Sequence, residues 1–410
     1  MSIISPLRQF VADREHHLID VTIVMPCLNE FISLPHCIGN AKAALRAIEQ
    51  ALGLTGEILV ADNGSTDGSQ RLAVELGARV VPVSEKGYGA ALIGGCEAAA
   101  GRYILMGDAD GSYDFIDGVP MIARLVDGID LCMGSRFKGG IEPGAMPWKN
   151  RYIGNPVLTG ILNLFFDSGI SDAHCGLRAI TTDAFRSLRL SGKGMEFASE
   201  MVIKASLKGM RTEEVPAKLH KDLRDRAPHL RPWRDGWRHL RYLLMLSPRW
   251  VFAIPGTVAS MVAIAIFAMA ICEALLPGSF PAVGNYWIIL GAALASGGHL
   301  ALILALSTQM YGAGQGYRLL TGRGKQVLEW LSLEKLLAVG TCFIAAGMLT
   351  LLIVLWQWQE RSFGPTDTIL LAVLGTTSIT LGFQTIMGGF LLAILGGNIA
   401  RFSEFSFAPE

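Results

Sequence analysis

Four long apolar stretches beyond Arg249 constrain most strongly what this chain can fold into. Each has the ~20 residues that an α-helix needs to cross a ~30 Å hydrocarbon core. The last three contain no Asp, Glu, Lys or Arg, which is unusual for helices of a water-soluble domain. The sequence therefore predicts an all-α transmembrane domain over residues 251–410, with a hairpin that only enters the membrane as the alternative. The four predicted helices cover residues 251–276, 286–310, 336–358 and 368–399.

The loops between these stretches predict the orientation of the chain. The first loop has no basic residue and the third has only Arg361, whereas the second has four. The four are Arg318, Arg323, Lys325 and Lys335. Basic loops stay on the cytoplasmic side of a membrane, and the N-terminal sequence lacks the apolar core of a signal peptide. We therefore expect an integral membrane protein whose termini and first domain, residues 1–230, are cytoplasmic.

Residues 21–215 alternate between short apolar runs and helix-like stretches such as Leu34–Leu52 and 68–76. This alternation predicts an α/β domain in which helices cover both faces of a mostly parallel sheet. Ligands of such sheets bind at the carboxyl ends of the strands, and polar or glycine-rich segments follow four of the predicted strands here. The predicted strands cover residues 21–26, 57–62, 78–83, 102–108 and 129–135.

Charge and cysteine content exclude two classes of protein. The 35 basic and 35 acidic residues give a formal net charge of zero, which argues against a nucleic-acid-binding protein. The chain has 7 cysteines, an odd number, and no C-x-x-C pair. That pattern argues against a disulfide framework and against a zinc site.

Two carboxylates follow the fourth predicted strand. Asp108 and Asp110 are separated by one residue, so in an extended chain both side chains point the same way. They could hold one hard cation, Mg²⁺ or Mn²⁺, which could also bind a diphosphate. A solvated acidic turn is the alternative.

Other polar groups at strand ends have two interpretations each. Asp62 could accept hydrogen bonds from a base or a ribose, or could cap the following helix, whereas Thr66 and Asp67 are better explained as caps. The glycine loop at residues 86–90 could bind an anion at a helix start or could be a simple turn. It lacks the spacing of a P-loop.

Residues 231–250 join the two predicted domains. Tryptophan and leucine recur there at helical spacing, and arginines line a neighbouring face. The residues are Trp233, Trp237, Leu240 and Leu244, with Arg234, Arg238 and Arg241 beside them. This pattern predicts an amphipathic helix in the headgroup layer, with guanidinium groups on lipid phosphates. A surface helix packed on the first domain is the alternative.

Seven motifs cover nearly the whole first domain. They are VTIVMPCLNE (21–30), ILVADNGSTDGS (58–69), KGYGAAL (86–92), ILMGDADGSY (104–113), MGSRFKGG (133–140), SDAHCGLRAI (171–180) and EFASEMVIKA (196–205). In this order they resemble an inverting glycosyltransferase of family two with the GT-A fold. The resemblance is closest to the branch of dolichol-phosphate mannose synthases and polyprenyl-phosphate glucosyltransferases.

The resemblance implies a donor site and a metal site. Positions that match the family's donor site are Pro26, Leu28, Glu30, Asp62, Asp108, Arg224 and Arg226. The first four would surround the nucleotide, and the two arginines resemble a basic segment that closes over the diphosphate. Asp108 and Asp110 would hold Mg²⁺ or Mn²⁺, with Ser112 at the third ligand position, where the family often has Gln.

The resemblance also implies an acceptor site. Arg136, Arg151 and Asn155 match the positions around an acceptor phosphate, although Ser is usual where Asn155 stands. Arg136 and Asp172 match catalytic positions, and Asp172 is a candidate base or an orienting carboxylate. A phosphate monoester is largely ionised at neutral pH because its second pKa is near 6, so it needs positioning more than deprotonation. That chemistry favours the orienting role.

The expected function is inverting transfer of a hexose such as glucose or mannose from a UDP- or GDP-linked donor. The expected acceptor is undecaprenyl or dolichyl phosphate at the cytoplasmic face of a prokaryotic plasma membrane. A processive polysaccharide synthase is one alternative, but Ser247-Pro248-Arg249-Trp250 lacks the Gln of the Q-x-x-R-W motif. An inactive membrane scaffold is another, against which the intact Asp108 and Asp110 argue.

Overall fold

Seven strands form one sheet in the N-terminal part of the chain. The computed structural model describes residues 19–224, 232–278, 283–316, 332–364 and 369–396. The strands are β1 Val21–Cys27, β2 Gly56–Asp62, β3 Arg79–Pro82, β4 Tyr103–Met106, β5 Leu131–Ser135, β6 Arg178–Thr181 and β7 Thr212–Pro216. Their order is β3-β2-β1-β4-β6-β5-β7. β6 runs antiparallel to β4 and β5, and the other paired strands are parallel.

The mostly parallel sheet predicted from the sequence is confirmed. β1, β4 and β5 consist almost entirely of buried residues because helices cover both faces of the sheet, and this burial produces their continuous apolar runs. β6 and β7 are not among the predicted strands. β6 has only 4 residues and β7 reads TEEVP, so neither gives the apolar run by which a buried strand is recognised.

Nine α-helices accompany this sheet in the described part of the chain. They are α1 Leu34–Leu52, α2 Ser69–Glu75, α3 Tyr88–Glu97, α4 Val119–Val126, α5 Arg136–Gly139, α6 Asn155–Phe166, α7 Thr182–Leu188, α8 Phe197–Leu207 and α9 Pro232–Met245. α1 has the predicted bounds. It buries Leu34, Ile38, Ala41 and Ile48 at helical spacing, and it ends at Gly53, whose φ of 67° is left-handed.

The chain divides into two compact units, Met1–Leu246 and Ser247–Glu410. α9 belongs to the first unit, because Leu243 is buried in its core while Tyr242 and Leu246 pack against that core. The predicted amphipathic segment is therefore helical, and one of its faces packs on the first unit. The outer face exposes Trp237, and its position in the headgroup layer stays a prediction.

Four helices of the second unit are long and apolar enough to cross a membrane. A π-helical turn, Arg249–Ala253, continues into the first of them. The helices are α10 Ile254–Leu275, α11 Asn285–Gly314, α12 Leu333–Glu360 and α13 Leu370–Leu395. The predicted all-α domain of four helices is confirmed. Arg318, Arg323 and Lys325, on which the predicted orientation depends, lie outside the described residues.

Glycines bring α12 and α13 close together. A Cβ atom added to Gly347 would lie 2.6 Å from the carbonyl oxygen of Gly375, and one added to Gly382 would lie 2.5 Å from that of Gly340. Small residues permit such close backbone contact, which stabilises helix pairs where lipid gives no hydrophobic driving force. Hydropathy alone predicts the spans and does not predict this pairing.

Candidate active site

The predicted site residues lie at the carboxyl ends of strands with the same direction. Glu30 follows β1, Asp62 ends β2, Asp108 follows β4 and Arg136 follows β5. β1, β2 and β4 are parallel neighbours, and the antiparallel β6 restores the common direction in β5. All four side chains therefore lie at one edge of the sheet, where ligands of α/β sheets bind.

Asp108 and Asp110 form a close pair of carboxylates. Burial and the neighbouring Asp110 raise the pKa of the Asp108 carboxyl to about 6, although a hydrogen bond from Tyr88 opposes the shift. Burial, together with the Asp108 charge, raises the pKa of the Tyr88 phenol well above its ordinary value, so Tyr88 stays a donor. The Asp110 Oδ1 atom accepts a hydrogen bond from the Ser112 backbone N–H at 2.9 Å. Asp110 is buried and Asp108 is half-buried. Two carboxylates with this spacing repel each other and favour a cation.

The oxygen ligands of Asp108 and Asp110 are of the type that a divalent metal ion prefers. Carboxylate oxygens are hard ligands of the kind that Mg²⁺ and Mn²⁺ prefer. Within the described ranges, no group of three or more His, Cys, Asp or Glu side chains could hold a metal. Asp108 and Asp110 are the carboxylates that would hold the metal. The Ser112 backbone N–H donates to Asp110, and the Ser112 carbonyl oxygen accepts the His220 backbone N–H at 2.9 Å. The predicted role of Ser112 as the third metal ligand stays a prediction.

Arg224 forms ion pairs with two carboxylates of the site, Glu30 and Asp110. Its Nη2 atom lies 2.8 Å from Glu30 Oε1, and its Nη1 atom lies 3.1 Å from Asp110 Oδ2. Glu30 and Asp110 are buried, so the guanidinium group supplies the positive charge that they require. The structure thus brings together three residues predicted for the donor and metal sites. Arg226, predicted beside Arg224, lies outside the described residues.

A cleft of about 280 Å³ opens beside this bridge. Phe31 and Ile32 are exposed on its wall and give it apolar surface, while Glu30 and Arg224 give it charge. Its size approaches the ~300 Å³ at which small-molecule sites begin. Pro26, near the end of β1, and Leu28, which follows that strand, are half-buried on the chain that leads to the cleft.

Asp62 makes its hydrogen bonds within its own turn. Its carboxylate accepts the backbone N–H groups of Gly64 at 2.9 Å and Ser65 at 3.2 Å, and also the side-chain amide of Gln70. Asp62 thus orders the loop after β2 and does not bond the first backbone N–H groups of α2, and its predicted contact with a nucleotide stays a prediction. Asp67 likewise accepts the Ser69 backbone N–H at 3.0 Å, as predicted for a cap.

Arg136 and Asp172 form a buried ion pair in which both oxygens of the carboxylate accept hydrogen bonds from the guanidinium group. The Asp172 Oδ2 atom accepts the Arg136 backbone N–H at 3.0 Å and Nε–H at 2.7 Å, and Oδ1 accepts Nη2–H at 2.7 Å. Burial alone would lower the pKa of Arg136, but Tyr113 and the hydrogen-bonded Asp172 raise it above its ordinary value. The backbone of Asp172 is held as well, because Glu214 Oε1 accepts the Asp172 backbone N–H at 3.0 Å. Both Asp172 oxygens are engaged, so this carboxylate orients Arg136.

The segment 171–178 lies directly against the carboxylate pair. A Cβ atom on Gly176 would lie 2.5 Å from Asp108 Oδ2, so a larger residue at this position would displace the Asp108 carboxylate. The Gly176 backbone N–H donates to the Tyr113 hydroxyl at 3.0 Å. Tyr88, Tyr113 and Glu214 are thus part of the site although the sequence did not single them out. Tyr88 and Tyr113 lie inside two of the quoted motifs, whereas Glu214 gives no signal because β7 was not predicted.

Arg151 and Asn155 are not joined to this group by any hydrogen bond or ion pair of the described residues. Arg151 lies in the π-helical turn Asn150–Gly154, with its guanidinium carbon 5.4 Å from the centre of the Tyr152 ring. Asn155 begins α6, and its amide contacts the Met146 sulfur at 3.5 Å. Their predicted role at an acceptor phosphate stays a prediction.

A mostly parallel sheet whose strand ends present paired carboxylates, a small cleft and a buried arginine is the architecture of a GT-A glycosyltransferase. The sequence matches two family descriptions, glycosyl transferase family 2 over residues 22–189 and glycosyltransferase family 2 C-terminal transmembrane region over residues 306–396. The chain belongs to glycosyltransferase family 2 and is an integral membrane glycosyltransferase.

Several known proteins are similar to this chain. The low-salt glycan biosynthesis hexosyltransferase Agl6 of Haloferax volcanii is 34% identical over 384 residues, which are 92% of this chain and 89% of the relative. The polyprenol monophosphomannose synthase of Mycolicibacterium smegmatis is 29% identical over 212 residues, 47% of this chain and 75% of the relative. A crystal structure of glucosyl-3-phosphoglycerate synthase from Mycobacterium tuberculosis covers 58% of this chain and 82% of its own, with 19% identity and a TM-score of 0.42.

Proposed function

We propose that this protein transfers a hexose, with inversion, from a nucleotide-diphosphate donor to a polyprenyl phosphate at the cytoplasmic face of a prokaryotic plasma membrane. In this reaction a phosphate oxygen of the acceptor attacks the anomeric carbon, and the nucleoside diphosphate leaves from the opposite face. An α-linked donor sugar thus gives a β-linked lipid product. The nucleotide is UDP or GDP, and the hexose is glucose, mannose or a related sugar.

The observation that carries this proposal is the engagement of Asp172 by Arg136. A neutral alcohol acceptor needs a general base with a free oxygen atom near the reacting hydroxyl. Both Asp172 oxygens instead accept N–H groups of Arg136. An acceptor phosphate is already ionised near neutral pH and needs a held arginine more than a base. Nη1 of Arg136 has no hydrogen-bond partner among the described residues and is available to such a phosphate.

The names of two relatives support a lipid-phosphate acceptor. One is the polyprenol monophosphomannose synthase, and another is a dolichyl-phosphate hexose transferase of Haloferax volcanii, 26% identical over 203 residues, 49% of this chain and 83% of that protein. The relative that matches almost the whole chain is named a hexosyltransferase of glycan biosynthesis. A hexosyl donor and a polyprenyl-phosphate acceptor agree with all three names.

The outer face of α6 also favours a substrate that lies in the membrane. Thr159, Leu162 and Phe166 turn inward on this helix, whereas Val157 and Leu164 on the opposite face are exposed. Trp148, Tyr152 and Ile153 just before α6 are exposed too. Large apolar side chains exposed close together along one stretch of chain are typical of a surface that contacts lipid or protein. We assign it to lipid because the chain is anchored in a membrane and Lys149 and Arg151 lie among these side chains.

Asp108 and Asp110 would hold Mg²⁺ or Mn²⁺, which would bind the donor diphosphate and stabilise its charge as it leaves. Arg224 and Glu30 would form the neighbouring wall of the donor site. Ser112 would stand at the third ligand position, and its backbone N–H holds Asp110. Arg226 would stand with Arg224 in the segment over the diphosphate.

The experiment is a transfer assay with the purified full-length protein in detergent. UDP-glucose, UDP-galactose and GDP-mannose, each radiolabelled, are incubated with undecaprenyl phosphate and Mg²⁺, and the label in the organic phase is counted. One donor should label the lipid, and the product should be cleaved by mild acid. Undecaprenol without its phosphate is the matched control and should stay unlabelled.

Three results would contradict the proposal. Equal labelling of undecaprenol would mean an alcohol acceptor. A water-soluble labelled polymer would favour a processive synthase. No transfer or donor hydrolysis with any acceptor in this panel would favour an inactive scaffold.

A further inference from the structure

A buried hydrogen-bonded chain joins α9 to the segment 171–178. The Ser199 hydroxyl, on α8, lies 2.8 Å from Nδ1 of His239 on α9 and 3.4 Å from Nε2 of His174. The two imidazole rings are nearly perpendicular, with centroids 4.8 Å apart. His174 stands between Asp172, which orients Arg136, and Gly176, which lies against Asp108.

The proton positions of this chain follow from burial. Burial, His239, Arg136 and Arg178 lower the pKa of His174 well below its ordinary value, so the ring is neutral. Nδ1 of His174 is buried without a partner in the part of the chain that is described. A bare nitrogen there leaves one acceptor unused, whereas an N–H would leave a donor unpaired. This favours the tautomer in which His174 Nε2–H donates to Ser199, whose own O–H can then donate to His239 Nδ1.

A second contact holds the same face of α9. The Glu200 carboxylate accepts a hydrogen bond from Tyr242 of α9 and ion-pairs with Lys204 at 2.7 Å. It also accepts the backbone N–H groups of Ser191 and Gly192. Leu243, the next residue of α9, is buried in the core. α9 is thus fixed on α8 by two polar contacts, the Ser199–His239 bridge and the Glu200–Tyr242 hydrogen bond.

We infer that His239 and His174 are positioning residues, through which α9 holds the segment 171–178 in the geometry that aligns Arg136 and packs Gly176 against Asp108. The effect of this link on the reaction rate rests on the proposed function. The contacts that form the link do not depend on it. α9 ends at Met245, and the first membrane-spanning helix begins at Arg249. The segment is therefore connected to the membrane anchor by one helix and a short piece of chain.

The link predicts a specific defect when the acceptor nitrogen is removed. His239→Leu fills the site but leaves the Ser199 hydroxyl without its partner and removes the ring that packs edge-on against His174, so the segment should move. Misplacement of reacting groups by about 1 Å costs up to about 100-fold in rate, and we expect kcat to fall about tenfold or more. The KM for the nucleotide-sugar should stay within about twofold, because Glu30 and Asp62 are not in the link.

Two variants separate positioning from general stability. His239→Asn keeps an acceptor oxygen near the Nδ1 position and should restore most of the lost kcat. Leu243→Ala removes a buried side chain of the same helix without touching the hydrogen-bonded chain. It should lower the melting temperature at least as much as His239→Leu while lowering kcat less.

Amide hydrogen exchange tests the link without any substrate. The Ser171 and Asp172 amides donate to Glu214 and the Gly176 amide donates to Tyr113, so they report the position of the segment. Peptides covering residues 171–178 should exchange faster in His239→Leu and Ser199→Ala than in wild type, and near the wild-type rate in His239→Asn. Wild-type exchange in both disruptive variants would overturn the inference. So would an equal loss of kcat in His239→Leu and His239→Asn. A wild-type enzyme without transferase activity would refute the proposed function, and hydrogen exchange alone would then decide whether the link exists.

Discussion

At the residue scale, the two arginines of the candidate site, Arg224 and Arg136, are already paired with carboxylates before any substrate binds. Arg224 lies on Glu30 and Asp110, and Arg136 lies on Asp172. Removing one partner of a buried ion pair leaves an uncompensated charge and is costly. A diphosphate donor with its metal can bring both signs of charge at once. Arg224 can then leave Asp110 for the diphosphate without leaving a carboxylate unpaired.

Asp110→Asn tests the metal assignment. The change removes one anionic oxygen from a hard-cation site but keeps the size of the side chain. Because metal stabilisation of a leaving group is worth several kcal/mol, transfer should fall by about 100-fold or more. Excess chelator should abolish wild-type transfer, and added Mg²⁺ or Mn²⁺ should restore it. Full activity of the variant, or of the wild type in chelator, would refute the assignment.

The raised pKa of Asp108 predicts a pH-dependent stability of the metal-free protein. Burial and Asp110 raise this pKa from its ordinary value of 3.8 to about 6. The folded state therefore binds a proton more tightly than the unfolded state, and this stabilisation, present below about pH 4, is lost as the pH rises through about 6. With chelator present, the melting temperature should fall between pH 4.5 and 7. Asp108→Asn should flatten this part of the profile, and an unchanged slope would show that another group causes it.

Arg136→Ala and Asp62→Ala should separate acceptor from donor. Loss of the Arg136 guanidinium should raise the KM for lipid phosphate about tenfold or more, since a charge-assisted pair to phosphate is lost. The affinity for nucleoside diphosphate, measured by calorimetry, should change little. Asp62→Ala should weaken nucleotide binding, because its carboxylate orders the loop after β2, and should spare the KM for the lipid. The opposite pattern would mean that the two sites are exchanged.

At the scale of elements, the pattern of apolar residues predicted those helices and strands whose side chains are buried. α1 and the five apolar strands came from runs of side chains that face a core. β6 and β7 were not predicted, because the segments RAIT and TEEVP are strands through their pairing with β5, and their composition alone does not indicate a strand. The same limit applies to the site. Asp108 and Arg136 stand at predicted strand ends, whereas Glu214 and the His174–His239 contact require the tertiary fold.

The glycine seam between α12 and α13 gives a prediction for the second unit. Gly347→Val would place side-chain atoms within about 3 Å of the Gly375 backbone and Ile379. Overpacking of this kind costs about 1–3 kcal/mol, so the melting temperature in detergent should fall by a few degrees. Gly297→Val on α11 is the matched control, since nothing lies within 4 Å of its added Cβ. Equal shifts in both variants would mean that helix propensity, and not the seam, is responsible.

At the scale of the whole molecule, the proposed substrate requires more of the protein than the apolar helices of the second unit. A polyprenyl phosphate keeps its tail in hydrocarbon and its phosphate at the headgroup layer. The first unit must then meet the membrane at a defined depth, and a span alone does not set that depth. The exposed apolar side chains of α6 and the exposed Trp237 of α9 belong to the first unit itself. Tryptophan favours the interface between hydrocarbon and water, so these faces are suited to fix the depth.

Replacing Trp237 with Ser should therefore impair transfer to a long-chain acceptor embedded in liposomes. Transfer to a short, water-soluble prenyl phosphate should change much less, because that acceptor reaches the site by diffusion. The four spans still hold the variant in the membrane, so lost localisation cannot explain a selective defect. Trp356→Ser is the matched control, since this tryptophan is equally exposed but lies on α12, and it should leave the ratio of the two rates unchanged. Equal losses on both acceptors in the Trp237 variant would mean that this side chain supports the fold of the catalytic unit, and the argument from membrane depth would fail.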